Sequence, residues 1–390
     1  MQGRLAFVGG DRQLWTVHAD GSGHRQLTYD LNVGSQSPWG GLQSTEQRSW
    51  PCWSPDGRWL SCFQTSEGVD SDGTAWLTAI EVDGVEEKRL VSLDEGYPIY
   101  SQWSPDSSRI AVLMQQADQL AVAVSVVDEI GVFRLIEEGV PIFFSWTDDS
   151  MKMLIHSGSQ SETRLVLRAV EGNDPDHYFS TNPGSFSTPA VVGERAVFVA
   201  DVDERSVLCV SDLHGGSVEE LQRLSGQVAN VVSPDQRYTA FTTMLPEQQP
   251  SYLGLWVADL ASGEVQKLMN TGLVAYFWLP NSDGLLVVTR GRGPTEYCWN
   301  QLHLESGEMR RLATFYPSQD QRFFLQFFEQ FAQSHSLVSA DGKLLAYASH
   351  PDPRRNNADT SSRIHVLSLD GEVQVQVLVP GEFAVFAPMG

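Results

Sequence analysis

His335 stands between Ser334 and Ser336, and His350 follows in "SHPDPRRNNADTS". An imidazole near neutral pH can act as a base, a ligand or a hydrogen-bonding anchor, but two histidines with no third partner in view fall short of a metal site. Arg290 and Arg292 in "TRGRGPTEY", with Arg354 and Arg355, offer planar forks that can hold a carboxylate or phosphate through paired bonds. Asp352 and Asp359 beside the second pair allow ordinary surface ion pairs instead. Asp70 and Asp72 in "GVDSDGT" lack the other ligands of a calcium loop. The chain has no GxSxG elbow, HExxH, phosphate-binding loop or dinucleotide glycine pattern, so no motif assigns catalysis, a cofactor or a metal.

The elements that must position these groups repeat. The tetrad in "CWSPDGRWLSC" recurs with drift as "QWSPDSSRIAV", "SWTDDSMKMLI", "AVVGERAVF", "VVSPDQRYTAF", "WLPNSDGLLVV", "LVSADGKLLAY" and a terminal "VFAPMG". Markers at Ser54, Ser104, Thr147, Val192, Ser233, Leu279, Ser339 and Ala387 are spaced by 50, 43, 45, 41, 46, 60 and 48 residues, the period of propeller blades. Each unit reads as an apolar strand, a tight turn and a second apolar strand. A second hairpin turn follows in every unit, from Asp20-Gly21 to Asp370-Gly371. "MQGRLAFVGG" supplies a second strand without a first and "GEFAVFAPMG" a first without a second, so the termini are expected to share one blade. The expected fold is therefore all-β: one domain over residues 1–390, an eight-bladed β-propeller of four-stranded blades, with seven blades as the alternative.

The "WSPDGRWLSCF" unit, with "LWTVHADGSGHRQLT" at the head of the chain, resembles the TolB-like, or WD40-like, propeller repeat. That repeat is shared by TolB and by the propeller domains of prolyl-oligopeptidase-type peptidases. The resemblance covers essentially the whole chain and implies a scaffold, with no catalytic assignment. The arrangement, including "FFEQFAQSHSL", also looks like bacterial stand-alone TolB-family proteins without a hydrolase domain.

Loop lengths are asymmetric. Turns within hairpins are tight, whereas the connections 64–74, 157–162, 200–205, 243–252, 290–297 and 349–361, and the blade links 28–49 and 313–334, are expected to be long. All these are expected on one face, making it the candidate binding face. Segment 28–49 carries Trp39 in a Gly/Ser/Gln-rich setting that suits a lid or a tether. In 318–334, Phe323, Phe324, Phe327, Phe328 and Phe331 follow helical spacing, which predicts a short amphipathic helix with Ser318 and Gln321 as a capping box, or a start at Asp320. Its aromatic stripe either packs on the blades, caps the central channel or offers a patch of the Phe324/Phe328 kind to a partner. His335 matches Trp50, Tyr100, Phe143 and Phe383 at the heads of other first strands, positions expected around the channel mouth.

Composition narrows the partners. With 26 Lys+Arg against 49 Asp+Glu the chain carries −23, which opposes nucleic acid and anionic membranes. No apolar run reaches membrane-spanning length and the first residues are strand-like, so a cytoplasmic protein is expected, or a periplasmic one if a leader was trimmed. The four cysteines show no framework and are expected as buried free thiols. Pairing across Ser54 to Gly57 sets Cys52 opposite Trp59, not Cys62. The reading is a non-catalytic binding or scaffold propeller that presents its long-loop face and channel mouth to a protein, peptide or small ligand. Its candidate residues are His335, Trp50, Tyr100, Phe143, Phe324, Phe328, Arg290, Arg292, His350 and Arg354. The alternative is a small-molecule hydrolase or lyase with its site at the mouth.

Overall fold

The "SPDG" tetrad is a hydrogen-bonded device. Ser54 Oγ donates to Asp56 Oδ1 (2.5 Å) and accepts from the Trp59 amide (2.9 Å), while Asp56 Oδ1 also accepts from the Arg58 amide (3.0 Å). One hydroxyl and one carboxylate thus satisfy the donors a tight turn leaves open. Ser104/Asp106, Thr147/Asp149, Ser233/Asp235 and Ser339/Asp341 repeat the hydroxyl–carboxylate bond at 2.6 Å. The residue after the aspartate takes positive φ: glycine suits it at Gly57 (70°), and Ser107 (63°) and Gln236 (59°) accept the steric cost. The degenerate "LPNSDG" keeps the backbone form without the hydroxyl, as Ser282 adopts φ 62° and its amide donates to Leu279 O (2.9 Å).

The computed structural model describes residues 3–30, 45–67, 74–84, 86–92, 96–158, 163–172, 174–180, 187–245, 251–355, 359–371 and 374–388. Trp39, Asp70 and Asp72 lie outside them. The described chain is all-β, with six hydrogen-bonded sheets, five of them four-stranded, and two short helices. It divides into two compact units, Met1–Leu135 with Tyr316–Arg322 and Ser334–Gly390, and Ile136–Phe315 with Phe323–Gln333.

In the first unit the sheet over 45–92 packs on the sheet that begins at Tyr97. Cys52, Trp59, Phe63, Leu77 and Leu90 meet Trp103, Ile110, Val112 and Met114 in one apolar cluster. The tryptophans of the tetrads tie neighbouring sheets: Trp103 Nε1 donates to Cys52 O (3.0 Å) and Trp53 Nε1 to Val385 O (3.3 Å). The terminal strands pair, with Leu5 opposite Phe386 and Val8 opposite Phe383. One strand, Val375–Phe386, makes that pairing with its second half. Its first half runs beside Arg363–Ser368.

The second unit holds the sheets spanning 142–178, 190–224, 227–273 and the strands from Ala275 to Phe315. In it Val202 faces Arg205 across a two-residue turn, so the connection 200–205 is short and not long as expected. Trp278 Nε1 donates to Val231 O (2.9 Å), the same tie between adjacent sheets.

All four cysteines are free and buried. The register differs from the sequence expectation: Cys52 faces Ser61, and the Ser54 amide donates to Trp59 O (2.9 Å), so Ser54 stands where Cys52 was expected. The physical reason is that the turn closes at the serine itself. The expected helical insertion is two pieces, α1 (Gln319–Gln326) and α2 (Phe328–Phe331). Ser318 Oγ accepts from the Gln321 amide (3.0 Å) as a cap, but Gln321 Oε1 accepts from the Ala348 amide (3.0 Å), so the box is half closed.

Candidate functional site

In the first unit the aromatic side chains of separate strands meet, but not as strand heads. Trp50, Tyr100 and Phe383 lie within Thr45–Trp53, Tyr97–Trp103 and Val375–Phe386, and His335 precedes an isolated bridge at Val338 because the chain there leaves the helical insertion without pairing as a regular strand. The Trp50 ring is tilted against Phe383 (5.2 Å between centroids), Phe383 lies 6.2 Å from His335, and His335 5.9 Å from Tyr100. Ser334 Oγ bridges Tyr100 Oη (2.8 Å) and His335 Nδ1 (2.7 Å). Burial pushes the His335 pKa down to about 3, so the ring is neutral throughout the physiological range and serves as an anchor between rings. Trp50 adopts φ 53° where the register slips between Ser49 and Cys52, a bulge that turns the indole toward this cluster. Cys52 lies beside it, its thiol pKa raised to about 12 by burial, which makes it a poor nucleophile.

His350 Nδ1 lies 3.0 Å from Thr360 O, and Arg354 bonds Tyr316 Oη (2.6 Å) and Asp352 (2.9 Å). Arg290 lies over Tyr297 and bonds its Oη (2.7 Å), while the Arg292 amide donates to Glu296 (3.2 Å). All three arginines are exposed, but Arg354 belongs to the first unit and Arg290 and Arg292 to the second. A polar groove of about 390 Å³ in the first unit is lined by Asp11, Arg12, Gln13, Tyr29, Asp30 and Glu46. Arg12 is already paired there with Asp320 (2.9 Å).

In the second unit the insertion is core on one side and surface on the other. Phe324, Phe328 and Phe331 are buried: Phe324 stacks on Phe277 (5.4 Å), and Phe328 stands edge-on to Tyr276 (4.8 Å) and Tyr252 (5.6 Å). The Phe324/Phe328 pair is thus sealed inside. The side that faces solvent carries Phe327, 48% exposed, with Phe323 4.9 Å from it.

Sequence reasoning missed what α2 brings in. Glu329 is buried and accepts from the Thr188 amide (3.3 Å). Burial raises its pKa to about 8 against the pull of the Thr188 and Asn230 amides. Ser187 Oγ donates to Asn230 Oδ1 (3.0 Å), and His156 Nδ1 donates to Ser187 O (2.9 Å). Phe143 borders this group, its ring 6.1 Å from His156. The available signal was a carboxylate inside an aromatic stripe with no basic residue a turn away. Among the described residues no three His, Cys, Asp or Glu side chains are grouped to hold a metal ion.

No family model matches the chain, and no curated protein matches it. Solved structures do. A eukaryotic initiation factor aligns over 100% of this chain and 99% of its own at 10% identity and TM-score 0.57. An oligogalacturonate lyase from Vibrio parahaemolyticus aligns over 82% and 85% at 11% identity and TM-score 0.51. The fold is a β-propeller. TolB from Acinetobacter baumannii aligns over 86% and 84% at 15% identity and TM-score 0.41. At such identities the likeness concerns the propeller scaffold and leaves activity to the site. Among the described residues of this propeller no helix is long and apolar enough to cross a membrane.

Proposed function

We propose that the chain is an eight-bladed propeller, closed by its terminal strands, that works as a non-catalytic binding scaffold and presents its long connections and channel mouth to a protein or peptide, with room for a small ligand. The observation that carries this reading is the burial of two titratable groups, His335 beside the aromatic cluster and Glu329 on α2. His335 is buried and held neutral at a pKa of about 3, and Glu329 is buried with a pKa raised to about 8. Both are spent on packing and internal hydrogen bonds, whereas a general base must reach a substrate proton. The accessible chemistry lies on connections: Arg290, Arg292, Arg354 and Phe327 are exposed there. Arginine and aromatic side chains are the types that anchor protein interfaces.

The test is affinity capture with the wild-type chain against Phe327→Asp and Arg354→Glu variants, both at exposed positions. The reading expects one partner to be captured by wild type and to lose at least about 10-fold in affinity with one or both variants, at unchanged Tm. Turnover of ester, amide or glycoside substrates that vanishes in His335→Phe would favour the hydrolase or lyase alternative.

A further inference from the structure

Around α2 the second unit buries polar atoms that its own hydrogen bonds leave unmatched. His156 Nδ1 faces a carbonyl, Ser187 O, which only accepts, so the hydrogen sits on Nδ1. Burial lowers the pKa of this ring and keeps it neutral, which makes Nε2 a bare acceptor. Asn230 has its Oδ1 taken by Ser187 Oγ, leaving the Nδ2 hydrogens, and Gln330 Nε2 donates to Phe144 O (3.5 Å), leaving Oε1 an acceptor. Thr188 Oγ1 is the fourth. Among the described residues none of these atoms meets a protein partner, and their residues are only 1–4% exposed. They belong to one group: His156 and Asn230 both bond Ser187, and Thr188 joins it to Glu329, the neighbour of Gln330 on α2.

An unmatched buried donor or acceptor costs about 1–3 kcal/mol, and four together approach the whole stability of a domain, about 5–15 kcal/mol. A guest that satisfies them must donate to His156 Nε2 and Gln330 Oε1, accept from Asn230 Nδ2, and do either at Thr188. A hydroxyl does both. The Glu329 carboxyl beside the group is buried and favours its protonated form, so no fixed counter-charge offsets the cost of burying an ion and the guest is neutral. We propose that His156, Thr188, Asn230 and Gln330 form an enclosed binding site for a small neutral polyhydroxylated molecule, with α2 as its cover. This rests on the binding-scaffold reading and gives the small ligand a place and a chemistry. The capture experiment uses surface residues outside this group, so the two ideas can fail separately.

Calorimetric titration with myo-inositol and glucose, against galacturonate and glucosamine as charged counterparts, tests it at about 1–10 mM, where generic polyol stabilisation is small. The expected result is saturable binding of a neutral probe and of neither charged one. Thr188→Val and Gln330→Met should each weaken that binding at least about 10-fold, with the Tm of the free protein unchanged or raised because an unmatched atom has been removed. Absence of saturable binding for both neutral probes overturns the proposal, as does equal binding of charged probes or insensitivity to both substitutions. Crystals soaked in inositol that show only water on the four atoms overturn it too.

Discussion

Two buried groups set opposite pH slopes. The Glu329 carboxyl has its folded pKa raised to about 8, above its ordinary value of 4.5, by burial. The folded state then holds a proton that the unfolded chain has released, so the stabilisation is complete below about pH 4.5 and is lost as pH rises through 8. Tyr252 and Tyr276, whose hydroxyls burial pushes far up, are the other titratable groups in the field of Glu329 and stay neutral through that window. Urea unfolding at pH 5 and pH 8.5 should therefore show a loss of up to a few kcal/mol on going alkaline, and Glu329→Gln should remove most of it. His335, lowered to about 3 from 6.5 by burial, acts the other way: its stabilisation is present above about pH 6.5 and is lost as pH falls through 3. His335→Phe should flatten the acid limb of the stability profile. An unchanged alkaline slope in Glu329→Gln would mean that the carboxyl reaches water.

The elements divide by how local their causes are. The tetrad turn was legible because hydroxyl, carboxylate and amide all lie within six residues, Ser54 to Trp59, and the helix was legible because its phenylalanines keep helical spacing. The register at Cys52 was not, since the bulge at Trp50 and Pro51 depends on what the neighbouring strand can pair. The polar group around α2 was also out of reach: His156, Thr188, Asn230 and Glu329 come from four distant stretches that only the folded chain assembles. At this scale Phe328→Ala should destabilise by about 3–5 kcal/mol, as deletion of a buried ring does, while Phe327→Ser should stay within about 0.5 kcal/mol. Equal losses in thermal unfolding would contradict the two-sided insertion. Ser104→Ala should cost about 1–2 kcal/mol, because Asp106 and the Arg109 amide both lose a partner.

For the whole molecule, the repeat period and the paired termini predict that no terminal strand is dispensable. Residues 383–386 pair with 5–8, so a chain ending at Gly381 exposes the edge of Arg4–Gly9 and should show a lower Tm and faster proteolysis near the N-terminus. On the proposed binding reading, function at this scale is a matter of which surface a partner covers, since His335 and Glu329 are internal. The most direct measurement is hydroxyl-radical footprinting of the chain alone and with its captured partner. The account predicts protection at Tyr29, Phe327, Arg290 and Arg354, all on the long connections. Protection confined to the short hairpin turns, around Gly172, Gly263 and Gly307, would contradict it.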